Sequence, residues 1–314
     1  MTRYVVRRII QSVFLLIGIA TFNFVILHLA PGGPELVSED PRLPKDFAAQ
    51  QRRDLGLDQP LPIQYVKWLG RAARLDFGRS FSDRRPVSEK IIERIPNTLL
   101  LSGTSFVIGL LGIPLGVYAA LRRGRPTDHG IRFFAAIGNA TPHWWLALII
   151  LLISARTVHW FPLGGTETIG DGSLLDRLRH LLLPALLGGL GGWIGYSRLV
   201  RSQFLEVMNE DYVRTARAKG LAERRVINGH ALRNAMLPVV TSFGGVLTLA
   251  LSGALLFEYT FSWPGMGRLA FEAASERDYP VLMALTVVGA ALVIVGNLLV
   301  DVLYTFVDPR VKLT

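Results

Sequence analysis

The chain has 314 residues, 50% of them hydrophobic, with a mean hydropathy of +0.37, no cysteine and a formal net charge of +10. Positive hydropathy beside only 18% charged residues points to a membrane protein rather than to two soluble domains. The missing cysteines exclude disulfide scaffolds, thiol enzymes, cysteine-ligated zinc and iron–sulfur sites, and the basic excess raises the choice between nucleic acid and an anionic surface.

A bilayer core of about 30 Å needs roughly 20 apolar residues in a helix. Six runs meet that length: Ile9 to Ala30, Thr98 to Leu121, Ile131 to Thr157, Leu181 to Val200, Met236 to Phe257, and Pro280 to Val307. The first follows Arg3, Arg7 and Arg8 as a signal peptide would, but it outruns the roughly 7 to 15 apolar residues of a cleavable core and reads as an uncleaved anchor. The chain therefore divides into an N-terminal tail with the first span (1–30), an external loop or cap (31–97) and a five-helix core (98–314). That core carries a basic loop at about 201–235.

Six spans place both termini on one side. On the side that holds the termini lie 17 Lys and Arg residues against 7 acidic ones, whereas the other side carries 17 of each, most of them in the long first loop. The positive-inside rule then makes both termini cytoplasmic. The same count removes the need for nucleic acid, because the whole excess is explained by topology and by one basic loop.

The first loop opens with the helix-stopping Pro31 to Pro34. Tyr65, Trp68, Leu69, Ala72 and Leu75 then recur at three- and four-residue steps, which predicts a short amphipathic helix on the outer surface. The loop serves either as a plain cap or as a docking face for an external partner.

Pro114, Pro142, Pro184 and Pro238 lie inside spans and predict bent helices, since each removes a backbone donor. Gly188, Gly189, Gly191, Gly192 and Gly195 in the fourth span predict a tight helix crossing, within the chain or with a second subunit. His143, Trp144 and Trp145 follow Pro142 too deep for an interfacial aromatic belt, and either line a passage or pack in the bundle. Asp301 reads as an interfacial carboxylate ahead of a proton site. No Walker loop, His-Glu-x-x-His pair or Gly-x-Ser-x-Gly elbow is present, so no catalytic, metal or cofactor-binding residue is assigned to this chain.

The basic loop reads DYVRTARAKGLAERRVINGHALRNAMLPVV from Asp211 to Val240. Asp211 is a candidate N-cap, Tyr212 to Lys219 a helix, and Gly220 its stop. Val213, Ala216 and Gly220 fall on one side, and Arg214 and Arg217 form a basic stripe. On physical grounds alone the segment reads first as a topogenic loop that holds the cytoplasmic orientation, or as one that touches anionic lipid, ahead of a functional role.

The segment resembles the cytoplasmic EAA loop of binding-protein-dependent ABC importer permeases, and closely that of the dipeptide and oligopeptide permease family. Gly220 matches the motif glycine and Ala216 its second alanine; Arg214 and Thr215 stand where the general motif has Glu and Ala. The Leu-Pro pair that follows in the general pattern is here Leu232–Arg233, with Pro238 displaced after Leu237. Three more stretches resemble the same branch in the same order: Leu55 to Gly70 with Asp76, Phe77, Gly78 and Ser80; FSWPGMGRL from Phe261 to Leu269 with Arg277 to Pro280; and DVLYTFVDPRV from Asp301 to Val311.

The resemblance implies an all-α polytopic protein of six transmembrane helices, like the permeases of type I ABC importers, in a prokaryotic plasma or inner membrane. It implies a second homologous permease, two cytosolic ATPases that bind ATP and Mg, and an extracytoplasmic solute-binding protein that delivers peptides. Asp211, Tyr212, Arg214, Thr215, Ala216, Arg217, Lys219 and Gly220 would form the ATPase-coupling helix. Trp68, Asp76, Phe77, Trp263, Pro264, Gly265 and Arg268 would meet the binding protein. Relatives also carry glutathione, nickel complexes and other small solutes; an ion-coupled secondary transporter, which needs midplane ion ligands, is the rival class.

Overall fold

A computed structural model describes residues 2–29, 58–158, 161–240, 242 and 255–307, and among them there is one isolated bridge, Arg79 with Pro86, and no strand. In chain order the helices are α1 (Thr2–Leu29), α2 (Leu61–Ala72), α3 (Val87–Leu110), α4 (Gly112–Leu121), α5 (Pro126–Ala140), α6 (His143–Ile153), α7 (Leu174–Val207) and α8 (Asp211–Ala218). A run of helical turns, Glu223–Arg225, the π-helical Val226–Ala231 and Leu232–Ala235, precedes α9 (Leu255–Thr260), α10 (Met266–Ser275) and α11 (Tyr279–Val307).

Among the described residues, three helical segments are long and apolar enough to cross a membrane: Val6–Leu29, Val87–Leu121 and Tyr279–Leu298. They correspond to the first, second and sixth predicted spans, and the second helix starts at Val87, ahead of the span's Thr98. The third predicted span is divided. Pro126–Ala140 and His143–Thr157 meet at 94°, so this pair makes a fourth crossing only if the two halves count as one. The break starts locally: Pro142 disfavours the helical region for Thr141, which adopts φ −102 and ψ 123. The fourth predicted span lies in α7, which is 34 residues long but diluted by its glycines and is not among the segments that pass. The fifth, Met236 to Phe257, lies largely outside the described residues.

Gly188, Gly189 and Gly192 of α7 face α3, and Gly112 and Gly116 of α4 face α7 in turn. A Cβ on Gly109 would lie 3.2 Å from Gly192 Cα, and one on Gly189 would lie 2.6 Å from the Ser105 carbonyl oxygen. A Cβ on Gly112 would collide with the Trp193 carbonyl, and one on Gly116 would come within 2.6 Å of the Ser197 carbonyl oxygen. The crossing predicted from the glycine spacing is therefore internal to the chain. Lipid is as apolar as leucine, so the two helices gain little by hiding side chains from it; close backbone contact and dispersion hold them together.

Apolar clusters continue along the bundle. Leu101, Ala147, Leu183, Leu187, Phe257 and Trp263 fill one level; Tyr196, Val200 and Val239 the next; Ala120, Phe204, Ala231 and Ala235 the level nearest α8. At the opposite end α2 lies against α1. Thr21 and Tyr65 share a hydroxyl hydrogen bond of 2.6 Å, and Phe24 meets the rings of Tyr65 and Trp68 at 5.4 and 5.7 Å. The predicted amphipathic helix is thus present, but it ends before Leu75, which sits past its C-terminus with φ 60 and 69% exposed.

Replacing Gly112 by Ala should force α4 off α7 and destabilise the protein by about 2 kcal/mol, whereas Gly103→Ala on α3, where a Cβ meets nothing, should be neutral or mildly stabilising. Thermal unfolding of the purified variants in detergent checks both. Equal Tm values would show that the crossing is not close-packed.

Candidate functional site

At one end of the bundle α7 runs into α8 through the turn Met208 to Glu210. Glu210, with extended φ −69 and ψ 147, occupies the N-cap position, one residue before the predicted Asp211, and no side chain caps the helix; Asp211 stands in the first turn, where its charge complements the helix dipole. The helix ends as predicted at Gly220, with φ +76. The Gly220 N–H donates to the Arg217 carbonyl at 2.9 Å and the Leu221 N–H to the Ala216 carbonyl at 3.3 Å, the paired bonds of a Schellman stop. Gly220 itself is exposed, so its role is the left-handed turn rather than the packed face.

Val213 and Ala216 are buried with Val226, against Val207, Met208 and Leu221. One face of α8 therefore seats on the end of α7, and Tyr212, Arg214, Thr215 and Lys219 remain exposed. The predicted arginine stripe divides in function. Arg217 grips Glu223 with Nε–Oε2 at 3.1 Å and Nη2–Oε1 at 2.7 Å, while Arg214 reaches only Asp211, 3.4 Å away in a fully open setting. The Arg217 fork holds the Glu223 carboxyl below its usual 4.5 and raises Arg217 in turn. The Tyr212 hydroxyl accepts from Asn234 Nδ2 at 2.8 Å, tying the start of α8 to the helical turn Leu232–Ala235. What this end offers is a rigid short helix with an open cationic side.

The other end is organised by two buried carboxylates. Glu258, 1% exposed, accepts from the Thr98 hydroxyl at 3.0 Å and the Arg268 N–H at 3.1 Å; the Thr98 oxygen in turn accepts from the Met266 N–H at 2.8 Å. A Cβ on Gly265 would run into that carboxylate, so glycine is required there for space. The Trp263 indole, 1% exposed, donates to the Asn97 carbonyl at 2.9 Å, and Asn97 Nδ2 donates to the Pro264 carbonyl at 3.0 Å. Asp278, also 1% exposed, accepts from the Ser80 hydroxyl and from the Phe81 N–H at 3.0 Å, pinning the loop after α2 to the start of α11.

The seven residues predicted at this surface therefore separate. Phe77, Trp263 and Gly265 are buried, and Trp68 and Pro264 are partly covered. Asp76 is exposed, its Oδ1 accepting from the Gly78 N–H at 3.0 Å. Arg268 is half-buried, bonded to Glu272 and to the Ser262 carbonyl, both at 2.7 Å. Sequence reasoning missed Thr98 and Glu258 as the centre of this end. The visible signal was an acid three residues before the Phe261 stretch, in a segment otherwise too apolar to leave it without partners.

Between the two ends lies a cavity of about 360 Å³ lined by Ser102, Ser105, His143, Gly188, Tyr196 and Glu258, with apolar walls from Leu101, Phe106, Leu187 and Phe257. Among the described residues the buried His143 Nε2 atom has no hydrogen-bond partner. The elbow at Pro142 puts this ring at the cavity, and Gly191 makes room for it, since a Cβ there would lie 2.9 Å from His143 Cε1. Trp144 and Trp145 point elsewhere, 41% and 48% exposed on the isolated chain. Among the described residues no group of three or more His, Asp or Glu side chains converges as a metal site.

Residues 112–313 match the family described as binding-protein-dependent transport system inner membrane component, and residues 1–102 match that of its N-terminal region. The chain is 44% identical over 315 residues to the oligopeptide transport system permease protein AppB of Bacillus subtilis, across 99% of this chain and 100% of that protein. It is 37% identical over 333 residues to the di/tripeptide transport system permease protein DppB of Pseudomonas aeruginosa, across 99% of each.

Two outcomes are expected from this geometry. Glu223→Gln should lower stability by less than about 1 kcal/mol, because the pair is half exposed. Its carboxyl is depressed from 4.5, so the difference from the native protein should be present above that pH and vanish as the pH falls through the lower folded-state value; Tm against pH for the two proteins measures it. Gly265→Ala should cost about 2 kcal/mol by overpacking the Glu258 carboxylate, read as a lowered Tm.

Proposed function

Because this chain belongs to the family of binding-protein-dependent transport system inner membrane components, we propose that it is a permease subunit of an ATP-driven importer and forms part of the membrane passage for peptides. The observation that carries the reading is α8: a helix seated by Val213 and Ala216 on the end of α7, stopped by Gly220, with a cationic side left open. The peptide substrate follows from the relatives, which are named as oligopeptide and di/tripeptide permeases over the full length.

In this reading the chain has six spans with both termini cytoplasmic, divided as residues 1–30, 31–97 and 98–314. The α8 end then faces the cytoplasm, where Arg214 and Lys219 meet one of two ATPase subunits that bind ATP and Mg. Closure of the ATPases on ATP displaces α8, and α7 carries the displacement into the bundle. A second homologous permease completes the passage, with His143 on its wall and Trp144 and Trp145 lining it where that partner closes it. The opposite end meets an extracytoplasmic binding protein through exposed groups such as Asp76 and the outer side of Arg268. Trp68, Phe77, Trp263, Pro264 and Gly265 shape that surface from beneath. Transport of this kind needs a two-state element biased both by nucleotide and by the loaded binding protein. No residue of this chain is asked to do covalent chemistry.

Reconstituted with its partners, the protein should take up peptide only with ATP and the binding protein, and uptake should survive a protonophore. Arg214→Glu and Gly220→Val should each reduce uptake at least about fivefold, by reversing a docking charge and by denying the left-handed turn. Normal uptake and normal peptide-stimulated ATP hydrolysis in both variants would sink the docking role of α8.

A further inference from the structure

Near the end of α7 stands an ion pair that neither the sequence motifs nor the docking surface accounts for. Arg201 Nε donates to Asp128 Oδ1 at 2.7 Å and its Nη2 to Oδ2 at 2.8 Å, a two-bond fork. The Gly124 N–H adds a third bond to Oδ2 at 3.0 Å, from a turn that glycine closes with φ +77. The Asp128 side chain is 1% exposed and that of Arg201 20%.

The position of the pair matters more than its strength. On one side of Arg201, α7 continues through Phe204, packed with Ala120, Ala231 and Ala235, to Val207 and Met208, which carry α8. On the other side Asp128 opens α5, which runs to the elbow at Pro142 and so to His143 at the cavity. Apolar contacts between α7 and its neighbours are non-directional and let helices slide. A bidentate fork fixes both distance and rotation. A buried ion pair adds little net stability compared with apolar side chains of the same size, yet separating its halves strands a buried charge. A displacement of the end of α7 therefore drags the start of α5 with it.

We propose that the Asp128–Arg201 fork is the positioning link through which movement of α8 reaches the α5–α6 elbow and the cavity wall at His143. The inference rests on the reading of α8 as the segment that engages the ATPase. It assigns to Asp128 and Arg201 a role in energy coupling rather than in docking or in contact with peptide.

The test uses the whole importer in proteoliposomes and measures ATP hydrolysed per peptide imported. In the double variant Asp128→Leu with Arg201→Met both charges are removed together, so no buried charge is stranded. It should assemble with near-native Tm and hydrolyse ATP, but spend at least about fivefold more ATP per peptide, the lower end of usual coupling between sites. Arg201→Lys, which keeps the charge and loses the fork, should raise the ratio at least about twofold. An assembled double variant with the native ratio overturns the link. If the double variant does not assemble, an unchanged ratio in Arg201→Lys overturns it instead. Absence of ATP-dependent peptide uptake by the native complex is a separate result, and it would remove the importer reading on which the link stands.

Discussion

Backbone-to-backbone contact between α7 and the α3–α4 pair is the constraint on which the rest of the molecule depends. Gly109 against Gly192, Gly112 against Trp193 and Gly116 against Ser197 bring two long helices closer than any side chain would allow. In a bilayer such close packing is a main source of cohesion, since burying leucine against leucine gains little over leaving it in lipid. With that crossing set, α7 becomes a shaft that carries features at both ends and in its middle. Ser173 and Asp176 cap one end, the cavity occupies its middle, and Arg201 and the seat of α8 lie at the other.

The two ends solve opposite problems. At the Trp263 end, loops are held by buried carboxylates that collect hydroxyl and backbone donors, as Glu258 and Asp278 do, giving a stiff cap with few open groups. At the α8 end the packed layer is thin and apolar, and charge is left outside, with one arginine satisfied inside the loop and another open. A stiff receiving surface and an open basic helix are what a membrane subunit needs if it is addressed from both sides by different proteins.

Much of this was legible in the residues. Charge asymmetry, apolar runs and the motif glycine at 220 lead to a helical membrane permease, and α8 ends at the predicted glycine with the predicted valine and alanine inward. The amphipathic helix of the first loop is where the three- and four-residue spacing puts it, short of Leu75. Other features were not legible. Pro142 predicts a bend, but a 94° elbow with an extended Thr141 requires neighbours that hold each half-helix separately. The α7 glycines predict a tight crossing without saying whether its partner is this chain or another. Trp263 and Gly265 look like an exposed recognition motif and are instead the packing around Glu258.

Local rules therefore determined composition class, helix identity and helix stops, because capping, hydropathy and proline act within one or two turns of chain. Which glycine faces which helix, which acid is buried among donors, and which arginine of three pairs with Asp128 or Glu223 or stays open were decided only on folding. Those choices join residues such as Thr98 and Glu258, or Asp128 and Arg201, that are far apart in the chain. Their energies exist only once α3 and α9, or α5 and α7, have brought the partners within hydrogen-bond reach.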